Sequence, residues 1–207
     1  MKVLLINGSP HEKGCTYTAL MEIDSVLKQE GIETELFHIG TQPIRGCIAC
    51  GQCSVKGGYC VFDDAVNSAK DKAKEADGFV FGAPVHYAAI NGAMSAFMDR
   101  LFYSGKSAFV QKPAAAIVSA RRAGTTASLD QLHKYFLISN MVLTGSQYWA
   151  MVHGNKPKEV LEDLEGLQTM RTIGRNLAWL MKVIELGKQN GIAPPAPENK
   201  IQTNFIR

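Results

Sequence analysis

Apolar residues along the chain fall into two alternating kinds of segment. Short continuous runs at Val3 to Ile6, Thr34 to His38, Gly78 to Ala83, Ala114 to Ser119 and Met141 to Ser146 read as strands. Runs of this kind suit a parallel sheet covered on both faces. Between them the apolar positions recur with helical period. Thr16 to Gln29 turns Leu20, Ile23 and Leu27 to one side, and a second helix opens at Asp63-Asp64 and runs to Ala76. The two carboxylates suit the positive end of a helix dipole. A third helix stacks Met94, Phe97, Met98, Leu101 and Phe102, and a long last one stacks Leu167, Met170, Ile173, Leu177, Leu180 and Ile184. Strand alternating with helix predicts an α/β fold, a doubly wound five-stranded parallel sheet with helices on both faces. Residues 1–190 read as one domain with a cysteine-bearing loop at 44–62, and the proline-rich stretch at 191–207 reads as a C-terminal arm over the surface or a neighbouring subunit.

Composition narrows the classes without naming a function. The chain has 207 residues, 46% of them apolar and 20% charged, which is enough for a core and excludes a disordered chain. A net charge of +3 is too mild to single out nucleic acid or an anionic membrane as a partner. The apolar run at Val3 to Ile6 is too short for a signal-peptide core or a membrane span, so a cytoplasmic location is expected. Four of the five cysteines lie between positions 47 and 60. In a reducing compartment such a group points to metal ligands or redox-active thiols rather than structural disulfides.

Open parallel sheets bind ligands beyond the carboxyl ends of their strands, which directs attention to three loops. After the first strand, the stretch Asn7 to Thr18 contains Ser9, Pro10, His11, Gly14, Thr16 and Thr18 and leads straight into a helix. Backbone N–H groups at a helix start, with nearby hydroxyls, cradle a phosphate. The loop has neither the Gly-Lys-Ser/Thr ending of an ATPase loop nor a G-x-G-x-x-G, so a terminal phosphate monoester as in FMN fits better. The alternative is that Ser9 and Thr16 only turn and cap the chain. After the third strand, Pro84, Val85, His86, Tyr87 and Asn91 form an apolar and aromatic wall suited to a flat ring. It could equally be a loop that covers the core. After the fourth strand, Ser119, Arg121, Arg122, Gly124 and Thr125 offer donors and cations that would stabilise a reduced flavin. Two solvated surface arginines are the plain alternative. The three loops taken together select FMN.

The cysteines follow C-x2-C-x2-C-x6-C at Cys47, Cys50, Cys53 and Cys60. Three thiols at steps of three, with small residues between, can curl round one corner of a [4Fe-4S] cluster while the fourth closes the cage. Free or redox-active thiols and a zinc site stay open as alternatives, although zinc usually takes two C-x2-C knuckles with a longer spacer. Cys15, alone in the phosphate loop, reads as a small packing residue.

These residues resemble a known family. Gly8-Ser9-Pro10, the cysteine motif running into Asp63-Asp64, Ala83-Pro84-Val85 and Phe97-Met98-Asp99-Arg100 look like the iron-sulfur flavoproteins, a branch of the flavodoxin-like NAD(P)H-dependent FMN reductases. The resemblance implies a flavodoxin-like fold, non-covalent FMN and a [4Fe-4S] cluster on the four cysteines. It also implies dimers or tetramers in which the cluster of one subunit lies near the flavin of a neighbour. By matching position, Ser9, Pro10, Gly14, Thr16 and Thr18 would meet the phosphate and ribityl chain, while the residues of the other two loops would surround the ring. His86 stands where relatives have Tyr, and Ser95 where they have lysine. The expected function is electron transfer between a small carrier such as ferredoxin and an acceptor, with no conventional acid or base catalyst. An NAD(P)H-dependent FMN or quinone reductase without a cluster is the second reading, and a zinc- or redox-sensing binding protein the third. Asp99 and Arg100 read as an ion pair at a helix end, His133 as a surface or boundary histidine, and Tyr148 to His153 as a loop at the flavin mouth, at a subunit contact or on the sheet.

Overall fold

Each of the first four apolar runs becomes a strand of one parallel sheet. In the computed structural model, which describes residues 1–199 and 201–205, these are β1 (Lys2–Asn7), β2 (Glu33–His38), β3 (Gly78–His86) and, later in the chain, β5 (Pro113–Ala120). A short strand, β4 (Ala89–Ile90), folds back antiparallel on the end of β3. The order across the sheet is β2-β1-β3-β5, with β6 (Val142–Leu143) at the far edge. Side chains alternate between the two faces as a pleated strand requires. Leu4 and Ile6 of β1 with Phe79, Phe81 and Ala83 of β3 join one core cluster, and Val3, Leu5 and Val80 join the other.

Helices cover both faces. α1 (Cys15–Gln29) and α7 (Leu164–Gln189) lie on one side, and α3 (Ala65–Glu75), α4 (Gly92–Gly105) and α5 (Thr125–Ile138) on the other. Two single-turn helices, α2 (Gln52–Val55) and α6 (Pro157–Val160), lie in connections. The apolar stripe of α4 is buried as the spacing predicts, with Met94, Phe97, Met98, Leu101 and Phe102 all in the core. Phe79, Phe81, Phe102, Phe109 and Phe136 pack with ring centroids 4.5 to 6.3 Å apart. On the opposite face α1 and α7 approach closely at Gly174, where a Cβ would sit 2.9 Å from Val26.

Two expectations shift. The fifth run does not form one strand: Val142–Leu143 pairs with Pro113–Ala114, the chain leaves the edge, and it returns as β7 (Met151–His153) beside Val118–Ala120. Gly145-Ser146-Gln147 supplies no apolar side chains for a buried strand, and the ladder resumes where Val118 N donates to Ala150 O at 3.0 Å. In α7, Leu167, Met170, Ile173 and Leu177 are buried, but Met181 takes the next core position while Leu180 and Ile184 are only half-buried. A helix of 26 residues at 3.6 per turn rotates its stripe away from a strict repeat. Among the described residues no helix is long and apolar enough to cross a membrane.

Phe81 stands at the centre of the aromatic cluster and is fully buried. Phe81→Ala is expected to lower unfolding free energy by about 3–5 kcal/mol, as a cavity that aromatic neighbours cannot refill. Urea unfolding followed by circular dichroism checks it.

Candidate functional site

Three loops meet at the carboxyl edge of the sheet, and hydrogen bonds tie them together. Asn7, at the end of β1, is buried and organises the first loop: its Oδ1 accepts from Ser9 N (3.1 Å) and its Nδ2 donates to Glu12 O (2.9 Å). His11 N donates to Ser9 Oγ at 3.1 Å, and a ring nitrogen of His38, at the end of β2, lies 2.7 Å from Ser9 O. Asn91 Nδ2 donates to Gly8 O (2.9 Å), which links the first loop to the third-strand loop. Gly8 itself must be glycine, since a Cβ would lie 2.4 Å from Met94 Sδ. Thr16 and Ser119 are both buried and their hydroxyl oxygens lie 2.8 Å apart. They tie the first loop to the β5 loop rather than lie open in the crevice.

The remaining expected ligands take varied positions round this knot. Pro10, His11, His86, Tyr87, Arg121 and Arg122 are exposed, whereas Gly14, Thr18, Pro84, Val85 and Gly124 are half-buried. Ser9, Asn91 and Thr125 are buried. Thr18 Oγ1 donates to Gly14 O at 3.2 Å, and Arg121 and Arg122 make no ion pair among the described residues. The turn between β3 and β4 carries left-handed φ at both Tyr87 (49°) and Ala88 (62°), conformations that cost free energy in non-glycine residues. Gly124, with φ of 92°, lets the β5 loop approach this turn, because a Cβ there would lie 2.5 Å from the Ala88 Cα.

The electrostatics of the crevice follow from the helices that start in it. α1, α4 and α5 begin after Gly14, Asn91 and Gly124, without a side-chain cap and without an acidic residue in the first turn. Their first N–H groups and dipole ends are therefore free to meet an anion. Asn91 Oδ1 is buried without a hydrogen-bond partner. Uncapped helix starts and an unpartnered acceptor suit a phosphate-bearing ring with N–H groups, so the residues present fit FMN.

The cysteine segment lies on the other side of α4. Cys47, Cys50, Cys53 and Cys60 line one pocket with Phe62, Arg100 and Tyr103, enclosing about 350 Å³, part of it open to solvent. All four are free thiols. Among the described residues no three potential ligands are arranged round a single metal ion. A cubane would take its four thiolates on four different irons and so asks for a wider spacing than one ion, and a pocket lined by four cysteines offers the all-sulfur donor set of such a centre. Two N–H groups already point at sulfur: Ala49 N to Cys47 Sγ (3.4 Å) and Arg100 Nε to Cys60 Sγ (3.3 Å).

Arg100 is not the helix-end partner of Asp99 that the sequence suggests. Its side chain is 1% exposed and grips Asp64 with both Nη atoms, at 2.6 and 2.9 Å, while its other donors reach Arg45 O and Phe62 O at 3.2 Å. Asp99 instead accepts from the Tyr135 hydroxyl. Asp64 also caps α3 through Val66 N (3.1 Å). Asn67 clamps the backbone of Cys60 on both sides, accepting from its N at 2.9 Å and donating to its O at 3.0 Å. Lys70 is buried below the segment; its Nζ donates to Gly57 O (2.8 Å) and sits 3.9 Å from the centroid of Tyr59, and burial pulls its pKa below the usual lysine range. Cys15 is half-buried with its Sγ 3.5 Å from Gly154 O, and burial pushes its thiol up, as suits a packing residue. Sequence reasoning missed Asn7, Asn67 and Lys70; their signal is a polar residue interrupting or bordering an apolar stripe.

Comparison with known proteins agrees with this geometry. The profile of the NADPH-dependent FMN reductase family matches residues 1–156. The chain belongs to this family. Within it, the chain falls in the iron-sulfur flavoprotein branch: an iron-sulfur flavoprotein of Methanocaldococcus jannaschii is 31% identical over 193 residues, covering 89% of this chain and 100% of that one. An iron-sulfur flavoprotein of Methanosarcina thermophila is 26% identical over 190 residues, covering 89% and 97%. Among solved structures, RosB with a bound intermediate superposes with a TM-score of 0.71 at 15% identity, over 100% of this chain and 92% of that one. An archaeal flavodoxin superposes with a TM-score of 0.59 at 17% identity over 88% and 99%, so the fold is flavodoxin-like. As a member of the FMN reductase family, the protein is an FMN-dependent oxidoreductase.

Two substitutions test the site. Arg100→Met removes one partner of a buried ion pair and is expected to cost about 3 kcal/mol in urea unfolding. Gly124→Ala, by driving the β5 loop off the β3–β4 turn, is expected to weaken FMN retention by at least about tenfold, the equivalent of 1.4 kcal/mol, in fluorescence titration of apoprotein.

Proposed function

We propose that this FMN-dependent oxidoreductase carries a second redox centre, a [4Fe-4S] cluster on Cys47, Cys50, Cys53 and Cys60, and passes electrons between a small carrier such as ferredoxin and an acceptor. The observation that carries the reading is that all four cysteines line one pocket that also contains a buried arginine. FMN would supply one- or two-electron exchange and the cluster single-electron exchange, so the pair would couple the two kinds of carrier.

The chain's own residues would bind and orient. The free N–H groups at the start of α1, with Pro10, His11 and Gly14 around them, would hold the phosphate, and Ser9 and Thr16 would keep that loop in shape. Thr18 would border the ribityl chain. Pro84, Val85, His86 and Tyr87 would wall the ring, while Asn91 and the loop of Ser119, Arg121, Arg122, Gly124 and Thr125 would face its polar edge. Arg121 and Arg122, which make no ion pair among the described residues, lie on a loop from which positive charge would favour the reduced ring. The same reading puts the protein in the cytoplasm, where free thiols persist, and as a homodimer or homotetramer in which the exposed cysteine face of one subunit meets the flavin crevice of another. The iron-sulfur flavoprotein relatives support the cluster by name.

Protein purified without oxygen is expected to contain about one FMN, and about four iron and four acid-labile sulfide per chain, as a cubane requires. Cys53→Ala is expected to lose the iron and keep the flavin. Flavin bands without iron, together with rapid bleaching by NADPH or NADH, would instead identify a reductase that works without a cluster.

A further inference from the structure

Resting on the reading that the four cysteines hold a cluster, we propose that the buried ammonium of Lys70 sets how readily that centre accepts an electron. Lys70 rises from α3 beneath the cysteine segment and is only 3% exposed. The segment packs directly over it: Gly57 O lies 2.8 Å from the Nζ, and a Cβ at Gly58 would come within 2.5 Å of the same atom. The Tyr59 ring closes another side at 3.9 Å.

What sets Lys70 apart is that it makes no ion pair of its own among the described residues. Arg100, the other buried cation here, is neutralised by Asp64. Lys70 makes no ion pair among the described residues; its direct partners are a carbonyl and an aromatic face, and the charged groups near it are Lys74, Asp71 and Cys53, of which Asp71 is already paired with Lys74. A buried charge with no ion pair of its own is costly, and a methionine of similar length would fill the space without that cost. An anionic neighbour accounts for the lysine, and four thiolates round one pocket would supply it.

The sign of the effect follows. Adding one electron makes a thiolate-held cluster more negative, so a fixed positive charge in a poorly screened site stabilises the reduced form more than the oxidised one. Arg100, with its charge balanced and its Nε donating to Cys60 Sγ, acts chiefly on the position of that sulfur. Lys70 acts through its charge.

The test is a dithionite redox titration of the holoprotein, followed by electron paramagnetic resonance, with iron and acid-labile sulfide measured for every variant. Lys70→Gln keeps a donor for Gly57 O but removes the charge. At a fixed ambient potential its reduced-to-oxidised ratio is expected to fall about tenfold, a 59 mV decrease for a one-electron couple. Lys70→Arg is expected to restore the parent ratio. A fully loaded Lys70→Gln cluster with an unchanged potential overturns the inference, and so does a shift that Lys70→Arg fails to reverse. If Lys70→Gln and Lys70→Met both fail to hold iron while the parent is loaded, the lysine serves assembly and the tuning role is rejected. Absence of iron from the parent protein rejects the underlying cluster reading instead, so the two failures are separable.

Discussion

The guanidinium of Arg100 uses all five of its N–H donors, on the carboxylate of Asp64, on two backbone carbonyls and on the sulfur of Cys60. The cysteine segment depends on that contact. Between Ile39 and Asp64 the chain has one turn of helix, and none of residues 40–63 is fully buried, so it has little apolar surface with which to hold itself down. A loop of this kind keeps its shape only if buried polar groups fix its backbone, and a fully satisfied polar network does so more rigidly than scattered apolar contacts. Arg100 pins Arg45 and Phe62, Asn67 pins Cys60, and Lys70 pins Gly57. Because α3 is capped by the same Asp64 that holds Arg100, the segment, the start of α3 and the middle of α4 are fixed by one ion pair.

The crevice proposed for the flavin is built by a different device. Two side-chain hydrogen bonds join its loops among the described residues, Asn91 to Gly8 and Thr16 to Ser119. Small residues make the joints possible: Gly8 under Met94, Gly82 under Thr16 and Gly124 against Ala88 each stand where a Cβ would collide. Close backbone approach leaves the starts of α1, α4 and α5 uncapped and turned to the same edge, which concentrates partial positive charge without concentrating lysine. A net charge of +3 therefore says little about this crevice, because its positive field comes largely from the backbone at the helix starts.

Much of this was legible in the chain and some was not, for a consistent reason. Periodicity found β1, β3, β5 and the stripe of α4, since burial on one or both faces writes itself into adjacent positions. Cysteine spacing located the second candidate centre, and small residues after the strands located the first. What escaped depends on partners remote in sequence. Arg100 pairs with Asp64, 36 positions away, and not with its neighbour Asp99. Lys70 looks like one more lysine on the solvent side of a short amphipathic helix until the cysteine segment is folded over it. The polar run Gly145-Ser146-Gln147 marks where β6 ends, but the point at which the chain rejoins the sheet as β7 depends on pairing with the far end of β5, which Met141 to Ser146 does not contain.

The two candidate centres are not independent, because α4 belongs to both. Asn91, before its first turn, holds the loop after β1 through Gly8, and Met94 packs against that glycine. Arg100, nine residues on and about 14 Å along the helix axis, holds the cysteine segment. Between them Phe97 and Met98 are fully buried in the core, which prevents the helix from sliding or rolling. A rigid element anchored at both sites fixes the geometry of each relative to the other within a chain. It also presents the cysteine pocket on the outer side of the helix layer, where Cys47 and Cys50 remain exposed. A centre placed there would have its sulfur ligands close to solvent and therefore within reach of a protein docked on that face, while the crevice proposed for the flavin opens at the edge of the sheet. Electron exchange through both would then need two approach surfaces and no large motion of the fold between them.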